Sequence, residues 1–412
     1  MTGVSSANPD APAPRRKAAI PRKHTVGKVV LLSTLVLALV TGLGVVFLVR
    51  HLNGNITSVD METALGDDRP EEVYKGNGEP LDILVMGDDN RDCEGCNVVG
   101  DNESGGGSDT TILVHLSADR KRAYAISIPR DSIVDRPACG DSPAATDVKW
   151  NAAYSMDGGP LCTVEQLESM TDIRVEHFVV VDFNGFGDMV DAVDGVPVCV
   201  PEDIDDPKHG IFVPAGNPSV LSGDEALDYV RARYVGEVIQ QNDISRIKRQ
   251  QTFIAALIRK VKSAGTLSRL DRVVGFLDAA TQSLTTDEQL GSVTRIGKIA
   301  MQLQNIGLEN VKFVTAPTAY FPLESEFKGS VYWTEQADTM WGLLNEDKPL
   351  PKALLGDAIT AKPPASSNEP EPDPGTEPPV PDPTTPSESP SELEPATPTE
   401  EPTADPVPGV CA

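Results

Sequence analysis

An uncharged apolar segment near the N-terminus limits what this chain can fold into more than any other feature. Residues 29–49 contain no charged side chain and consist mostly of valine and leucine. A helix of about 20 such residues crosses the hydrocarbon core of a membrane, whereas a core helix at the surface of a soluble domain has a polar face. We therefore predict a transmembrane helix at 29–49. The alternative is a cleaved signal peptide, whose apolar core is usually shorter and is followed by a small-residue cleavage site.

The basic residues around this segment predict its orientation. Six Lys or Arg residues precede it, whereas Arg50 follows it and the next is Arg69. An excess of positive charge marks the cytoplasmic side of a membrane helix. We therefore expect a single-pass protein of the cell membrane, with its N-terminus in the cytoplasm and the chain after residue 50 outside. The formal net charge of −27 also argues against nucleic acid as a partner.

Composition divides the rest of the chain. We expect a disordered basic tail at 1–28, a polar extracellular stalk at 50–78, a folded domain at 79–347 and a disordered tail at 348–412. The last segment is rich in Pro, Glu, Thr and Ser and has few large apolar residues, so it cannot bury enough surface to fold. The segment 79–347 is long enough to bury a sizeable core in one domain.

Short apolar runs alternate with helical patterns inside this domain. The predicted strands are 83–86, 111–116, 123–128, 178–181, 196–200 and 311–314. The predicted helices lie near 163–170, 184–193, 223–231, 244–262, 287–304 and 334–344. Such alternation predicts an α/β fold with helices on both faces of a sheet.

The helix predicted from residue 244 belongs to a concentration of positive charge. Residues 231–249 contain four arginines and one lysine in an otherwise acidic chain. Guanidinium groups match phosphate oxygens, so the cluster predicts an anion site; a solvated basic helix face is the alternative. Asp243 occupies the N-cap position, and Arg246 and Gln250 follow it along one helical edge beside a single apolar stripe. Arg249 is expected to face solvent.

Neither the cysteines nor the histidines form a recognisable catalytic motif. The chain has six cysteines on the predicted extracellular side, where disulfides persist. We expect a Cys139–Cys162 bridge, because these residues flank a loop-like stretch. Cys93 and Cys96 suggest zinc or redox chemistry, but no second ligand pair completes a zinc site, so a structural bridge is preferred. His115, on a predicted strand, is interpreted as a satisfied structural residue.

Eight short motifs follow one another between residues 87 and 251. They are GDDNR at 87–91, SDT at 108–110, SIPRD at 127–131, KWNAAY at 149–154, VDFNGF at 181–186, VDAVDGV at 190–196, LSGDEALDYVRAR at 221–233 and DISRIKRQQ at 243–251. Taken singly, several are ordinary turns or helix caps. Taken in this order, they resemble the LytR–CpsA–Psr family of cell-wall glycopolymer ligases, which a single-pass anchor and an exported domain also fit.

The resemblance implies a fold and an activity. The fold would be a three-layer αβα domain with a central mixed sheet and an apolar pocket for a polyprenyl chain. The activity would be a phosphotransferase that moves a glycopolymer from a polyprenyl (undecaprenyl or decaprenyl) pyrophosphate carrier to the muramic acid 6-hydroxyl of peptidoglycan, forming a phosphodiester. Its partners would be the lipid-linked glycopolymer, peptidoglycan and membrane lipid. Teichoic acid, capsule and arabinogalactan are all possible polymers.

Two alternatives to this activity stay open. One is a non-catalytic protein that binds polyprenyl phosphate or wall polymers and regulates envelope biogenesis. The other is a polyprenyl-pyrophosphate hydrolase, in which water takes the place of the sugar hydroxyl.

The resemblance also implies residue roles. Asp89 and Asp109 would hold Mg²⁺ (or Mn²⁺). The catalytic residues would be Arg130, Arg231, Arg233, Arg246 and Asp243, and the pyrophosphate would be bound by Arg91, Arg130, Lys149, Arg231, Arg233, Arg246 and Gln250. Many family members carry arginine where this chain has Gly107, so either Arg91 compensates or one phosphate contact is absent. Asp89, Asp131 and Asp243 are the candidates for the catalytic base.

Overall fold

The computed structural model describes residues 25–88, 107–207, 209–232, 243–304 and 306–362 of the 412-residue chain. Most of both predicted tails, and with them Cys411, lie outside these ranges, as do Cys93 and Cys96. The chain divides into two units, Met1–His51 and Leu52–Ala412.

Helix α1 (Thr25–Asn55) makes up the described part of the first unit and continues into the second. The stretch Val26–Asn55 has a mean hydropathy of 2.6 and is long and apolar enough to cross a membrane. It contains the predicted span 29–49 and is longer at both ends, because the flanking residues continue the helix without a breaker.

The second unit alternates further helices with strands. The helices are α2 (Met61–Leu65), α3 (Pro160–Thr171), α4 (Phe183–Ala192), α5 (Gly223–Arg231), α6 (Asp243–Lys262), α7 (Ala264–Leu267), α8 (Leu270–Ser283), α9 (Val293–Gln304) and α10 (Glu335–Asn345). The strands are β1 (Thr57–Val59), β2 (Leu81–Asp88), β3 (Ser108–Leu116), β4 (Ala123–Ile128), β5 (Ile133–Arg136), β6 (Ala145–Lys149), β7 (His177–Asp182), β8 (Val196–Val200), β9 (Ile204–Asp206), β10 (Ile211–Val213), β11 (Gly216–Leu221), β12 (Leu284–Asp287), β13 (Val311–Thr315), β14 (Thr318–Tyr320), β15 (Val331–Trp333) and β16 (Ile359–Thr360).

Eight of these strands form the central sheet, in the order β1-β12-β7-β2-β3-β4-β13-β16. The pairs β7–β2 and β4–β13 are parallel, whereas β3 runs antiparallel to both of its neighbours. The sheet is therefore mixed, and the predicted α/β class is confirmed.

One face of the sheet is tightly closed by α2, α3 and α10. Side chains at alternate positions of the central strands point to this face, and Leu84, Met86 and Phe178 among them are 0% exposed. They pack in one cluster with apolar residues of α3 and α10, including Leu167 and Trp341. This packing is the main core of the domain.

The opposite face is covered by α6, α8 and α9, but less completely. Val85 and Val179 are register partners on the adjacent strands β2 and β7, and both are only partly buried, as is Val114 of β3. Ile254 of α6 and Ile299 of α9 also stay partly buried beside them. Central strands are normally the most buried part of such a sheet, so these residues form a partly exposed apolar surface between the sheet and its helices.

A smaller module packs on the outer side of α6. The pairs β8–β11 and β9–β10 enclose a second core with α4 and α5, and α6 contributes Phe253 to it. Because α6 is covered on two sides, residues 246–251 are all buried. The expectation that Arg249 faces solvent was therefore wrong, since its side chain is 1% exposed.

The other predicted elements differ from the structure in detail. All six predicted strands exist, but β8 pairs with β11 outside the central sheet. Helix α8 was not predicted, although Val273, Leu277 and Ala280 recur along one face, and its residues 272–280 are all partly buried. Helix α9 begins at Val293, after residues predicted to be helical.

The domain also takes in residues beyond the predicted 79–347. In the segment expected to be a stalk, β1 pairs with β12 and Met61 is buried in the main core. In the segment expected to be a tail, β16 pairs with β13, and Leu350 and Leu354 are buried. A few apolar residues were enough to dock each of these polar stretches.

The predicted Cys139–Cys162 disulfide is present and joins a loop to α3. Cys199 on β8 is also disulfide-bonded. The predicted bridge between Cys93 and Cys96 lies outside the described residues.

Candidate active site

Several strand ends meet at one edge of the central sheet. Because β7 and β2 are parallel, and β4 and β13 are parallel, their carboxyl ends lie on the same side. The antiparallel strand β3 begins there, so that Ser108 lies opposite Asp88, and Thr111 opposite Ile128. Ligands of α/β sheets collect at such edges, and the SDT and SIPRD motifs are brought together here.

Asp109 lies at the centre of this edge and accepts hydrogen bonds from two arginines. Nη1 of Arg130 donates to Oδ1 at 2.6 Å, and Nη1 of Arg246 donates to Oδ2 at 3.1 Å. Arg246 also donates from Nη2 to the Asp109 carbonyl oxygen at 3.1 Å. Two guanidinium groups from distant segments are therefore held side by side on one carboxylate.

Two further carboxylates complete this arginine–aspartate cluster. Asp243, at the start of α6, accepts a bond from Nη2 of Arg246 at 2.6 Å and lies 3.6 Å from Nε of Arg130. Asp131 lies 3.5 Å from the same Nε atom and accepts a bond from Nζ of Lys149 at 2.7 Å. Three cations and three carboxylates thus form a nearly neutral network.

The network is graded from buried to open. Arg246 is 2% exposed, whereas Lys149 at the rim is 54% exposed. Burial by itself would raise the pKa of Asp131, but the bond from Lys149 and the charge of Arg130 outweigh it and keep this pKa below its usual value. Burial likewise opposes the charge of Arg130, yet Asp109, Asp243 and Asp131 raise its pKa above the usual value.

Not every polar atom of the cluster is satisfied. Nε of Arg130, Nε of Arg246 and Oδ2 of Asp243 are buried and have no hydrogen-bond partner among the described residues. Buried polar groups are nearly always paired. Unsatisfied donors and an acceptor in one place therefore indicate that the network is built to bind something more.

Two other predicted site residues, Arg231 of α5 and Gln250 of α6, lie beside this cluster in the sequence motifs. The guanidinium of Arg231 lies 4.8 Å from the centre of the Phe183 ring, and an added Cβ on Gly87 would come within 2.8 Å of that ring. Phe183 therefore ties Arg231 to the end of β2. Gln250 donates to the carbonyl oxygen of Val230 at 3.3 Å and is buried, so it braces α5 against α6.

Arg233, Arg91 and Asp89 lie outside the described residues. Asp109 is thus the described member of the predicted metal pair, and no group of three or more potential metal-ligating side chains occurs in the described ranges. Gly107 has room for a side chain, since an added Cβ would meet only Asn151 and Ser155, each at 3.9 Å.

Sequence reasoning missed several residues of this region. Tyr154 is bonded to Asp88, and burial followed by the Asp88 charge raises the pKa of its phenol. Arg249 bonds to the carbonyl oxygen of Ala232, and burial lowers its pKa to about 10. Both lie within motifs noted above, so the KWNAAY motif and the spacing of Arg249 from Arg246 were available signals. Tyr320, described below, had none.

Comparison with solved structures places the fold among known ones. A structure titled LytR-Csp2A-Psr enzyme from Actinomyces oris superposes with a TM-score of 0.54 and 19% identity, over 71% of this chain and 96% of that one. Protein gbs0355 of Streptococcus agalactiae gives a TM-score of 0.52 and 23% identity, over 66% and 90%. At these identities the similarity shows a shared fold.

Curated relatives are more similar in sequence. The cell wall biosynthesis protein LcpA of Corynebacterium glutamicum is 30% identical over 285 residues, which are 61% of this chain and 52% of the relative. The polyisoprenyl-teichoic acid–peptidoglycan teichoic acid transferase TagV of Bacillus subtilis is 32% identical over 266 residues, or 63% of each chain. The match spans less than two thirds of either relative's length.

A family model covers most of the domain. The model described as the LytR_cpsA_psr family matches residues 48–348, a range that includes every strand end and arginine of the cluster. The motifs that suggested the family, the fold and the relatives agree with this match. The chain belongs to the LytR–CpsA–Psr family.

Proposed function

We propose that this chain is a phosphotransferase that moves a glycopolymer from a polyprenyl pyrophosphate carrier to the muramic acid 6-hydroxyl of peptidoglycan. The observation that carries the proposal is the arginine–aspartate cluster, which lies at the sheet edge and contains two guanidinium groups on one carboxylate. The relative TagV is named a teichoic acid transferase acting between a polyisoprenyl carrier and peptidoglycan, which supports the same reaction class.

The oriented guanidinium donors of the cluster suit a pyrophosphate. Arg130 and Arg246 are already oriented by Asp109 and Asp243, so little reorganisation is needed when phosphate oxygens arrive. Preorganised donors of this kind are usually the largest single contribution to catalysis. The unsatisfied Nε atoms of both arginines are further donors for the anion.

The partly exposed apolar surface suits the lipid part of the donor. Val85, Val114 and Val179 of the sheet leave apolar surface partly exposed. Burying such surface against a hydrocarbon chain contributes roughly 25 cal/mol per Å². A long polyprenyl chain would therefore bind strongly without any polar contact, while its pyrophosphate reaches the sheet edge.

The proposed reaction is a substitution at phosphorus. The muramic acid hydroxyl oxygen forms a bond to the phosphorus that carries the glycopolymer, and the bond from that phosphorus to the bridging oxygen breaks. Polyprenyl phosphate leaves with the electron pair, and the hydroxyl proton passes to a carboxylate. Asp131 and Asp243 are the candidate bases among the described residues, and Asp89 is the third candidate. Arg130 and Arg246 stabilise the charge on the phosphate oxygens throughout.

Asp89 and Asp109 are the proposed ligands of Mg²⁺ (or Mn²⁺). The chemistry of Asp109 fits a hard cation, because carboxylate oxygens are the ligands that Mg²⁺ prefers. When bound, such an ion neutralises pyrophosphate charge. We further propose that α1 anchors the protein in the cell membrane with its N-terminus in the cytoplasm and the domain outside.

Reconstitution tests the proposal. The full chain in lipid nanodiscs is supplied with Mg²⁺, a polyprenyl-pyrophosphate-linked glycan and peptidoglycan, and glycan–peptidoglycan product is measured. Replacing Arg130 by Ala should slow transfer about 10²–10³-fold, because a donor to the transferring phosphate is lost. Wild-type activity in this variant would refute the site. Polyprenyl phosphate released without acceptor product would support the hydrolase, and lipid binding without turnover would support the binding protein.

A further inference from the structure

The β14–β15 hairpin borders the arginine–aspartate cluster and has no role in the reaction as proposed above. The backbone N–H of Val331 donates to the carbonyl oxygen of Asp131 at 3.1 Å, and Ser132 forms a parallel bridge with Val331. Tyr320 lies directly opposite Val331 in the hairpin. The hairpin is therefore fixed to the segment that supplies Arg130 and Asp131.

The two faces of this hairpin make different contacts. Residues alternate between faces, so Tyr320 shares one face with Val331 and Trp333, while Tyr332 is on the other. Trp333 packs against Trp150 and Trp341 in the main core, with ring centres 5.8 and 5.2 Å apart. Tyr332 makes an edge contact with Phe321 at 5.1 Å. Tyr320 is thus held by a rigid inner face, yet it is 50% exposed.

The surroundings of Tyr320 link it to the cluster. Burial of the phenol raises its pKa, and the negative charges of Asp243 and Asp131 raise it further. The hydroxyl therefore keeps its proton and can donate a hydrogen bond. A half-exposed aromatic ring with a polar end, near the carboxylates of Asp131 and Asp243, matches a sugar, which has an apolar C–H face and a rim of hydroxyls.

The sugar at Tyr320 could belong to the glycopolymer of the donor or to the peptidoglycan acceptor, and the position of the hairpin distinguishes between them. In substitution at phosphorus the attacking and leaving oxygens lie roughly in line. The apolar surface proposed for the polyprenyl chain lies over β7, β2 and β3 on the α6 and α9 face. The hairpin follows β13 and packs through Trp333 on the opposite face. An acceptor at Tyr320 would therefore approach from the side away from the leaving group.

We propose that the β14–β15 hairpin binds the acceptor, and that Tyr320 stacks on a sugar ring of the peptidoglycan strand beside the attacking hydroxyl. This inference rests on the proposed function. Tyr320 holds the acceptor in place, and the bonds that form and break are those already given.

Steady-state kinetics with matched variants test it. The full chain in nanodiscs is assayed with a soluble muramic-acid-containing glycan fragment as the acceptor, and KM is measured for acceptor and donor separately. Tyr320→Ala should raise the acceptor KM about tenfold and leave the donor KM unchanged. Tyr320→Phe should raise the acceptor KM much less than Tyr320→Ala, since it keeps the stacking ring and loses only the hydrogen bond of the hydroxyl. Tyr332→Ala is the control, because it removes an exposed tyrosine from the other face of the same hairpin.

Three results would overturn the inference. They are an unchanged acceptor KM in Tyr320→Ala, an increase in the donor KM instead, or an equal increase in Tyr332→Ala. An increase in Tyr320→Phe as large as in Tyr320→Ala would overturn the stacking. Binding of the same fragment, measured by NMR without any lipid donor, separates this inference from the proposed function. Fragment binding that Tyr320→Ala loses would support the acceptor site even if the wild type transfers nothing.

Discussion

Strand β3 has a charged cluster at each end, and the two clusters differ in how completely they are closed. At its start, Asp109 holds Arg130 and Arg246. Near its end, His115 donates from Nδ1 towards Asp82 at 2.9 Å and from Nε2 towards Asp347 at 3.3 Å, and Arg122 also pairs with Asp347. Both clusters set cations between carboxylates.

The two clusters differ in how many hydrogen-bonding atoms are without a partner and in how exposed their rims are. His115 is 1% exposed and both of its ring nitrogens have a carboxylate partner, so the expectation of a satisfied structural residue is confirmed. The arginine–aspartate cluster keeps unsatisfied buried atoms and an open rim at Lys149. Among the described residues the His115 cluster leaves one buried donor unpartnered, Nε of Arg122, whereas the arginine–aspartate cluster leaves two donors and an acceptor together. The arginine–aspartate cluster therefore has the greater capacity for a ligand. Four predictions test this contrast.

The largest effect is expected for Arg246→Lys. Lysine keeps the positive charge, but a single ammonium cannot bridge Asp109 and Asp243 in the guanidinium geometry. Transfer should slow about 10²-fold, measured as single-turnover rate in nanodiscs. Circular dichroism of the variant serves as the folding control. Activity near wild type would mean that this cluster needs only charge, and the contrast would lose its basis.

Replacing His115 should affect stability and spare the chemistry. His115→Gln removes the cation between Asp82 and Asp347 and leaves both carboxylates without it. Breaking a buried ion pair in this way costs roughly 3–5 kcal/mol, to be measured by urea unfolding of the variant and the wild type. Transfer per folded molecule should stay unchanged. A variant that unfolds like wild type but is inactive would show that His115 takes part in the reaction and is not only structural.

The pH dependence of stability should follow the same cluster. Burial lowers the pKa of His115, but Asp82 and Asp347 outweigh it and raise the pKa from 6.5 to about 9. A raised folded-state pKa stabilises fully below about 6.5, and this stabilisation is lost as the pH rises through about 9. Tm should therefore fall between pH 6.5 and 9.5 in the wild type and less in His115→Gln. Equal slopes in the two proteins would contradict the assignment.

A neighbouring carboxyl adds to this slope at lower pH. Burial, followed by the charge of Asp82, raises the pKa of Glu176 to about 8. Its contribution also falls as pH rises, but it ends near pH 8. The interval above pH 8 therefore reports on His115 more directly.

The smallest effect is expected for Lys149→Ala. The side chain of Lys149 is more than half exposed, and its one ion pair among the described residues is with the outer carboxylate Asp131. An exposed ion pair contributes about 0.2–1 kcal/mol. Transfer should slow no more than about fivefold, and the loss should shrink at high salt because screening already weakens this charge. A loss of transfer activity as large as that of Arg246→Lys would show that the catalytic centre lies at the exposed rim and not at the buried arginines.

Local patterns predicted much of the fold. Short apolar runs located β2, β3, β4, β7 and β13, since strands buried on both faces need continuous apolar sequence. Helix α8 was missed although Val273, Leu277 and Ala280 recur at the spacing of one helical face, so the signal was present in the sequence. β8 was found as a strand, but nothing in its sequence distinguishes a strand of the outer module from one of the central sheet.

The site was predicted unevenly for a related reason. Asp109, Arg130, Asp243, Arg246 and Lys149 come from four separate segments, and the ordered motifs named all five before the structure brought them together. Arg249 was misplaced because the single stripe of α6 predicts one covered side, whereas the outer module covers a second. Tyr320 was missed because its hairpin joins the cluster through a tertiary contact, the backbone bond from Val331 to Asp131, which no local sequence pattern indicates.

The sequence alone determined the apolar anchor segment, the α/β class, the Cys139–Cys162 bridge and the family. These depend on hydrophobic periodicity, short spacing and ordered motifs, which are written along the chain. Only the tertiary structure decided which cluster on β3 is closed, that Arg249 is buried and that Tyr320 stands beside Asp131. Burial and charge pairing between elements far apart in the chain depend on which surfaces come into contact when the layers pack. No local sequence pattern specifies these contacts.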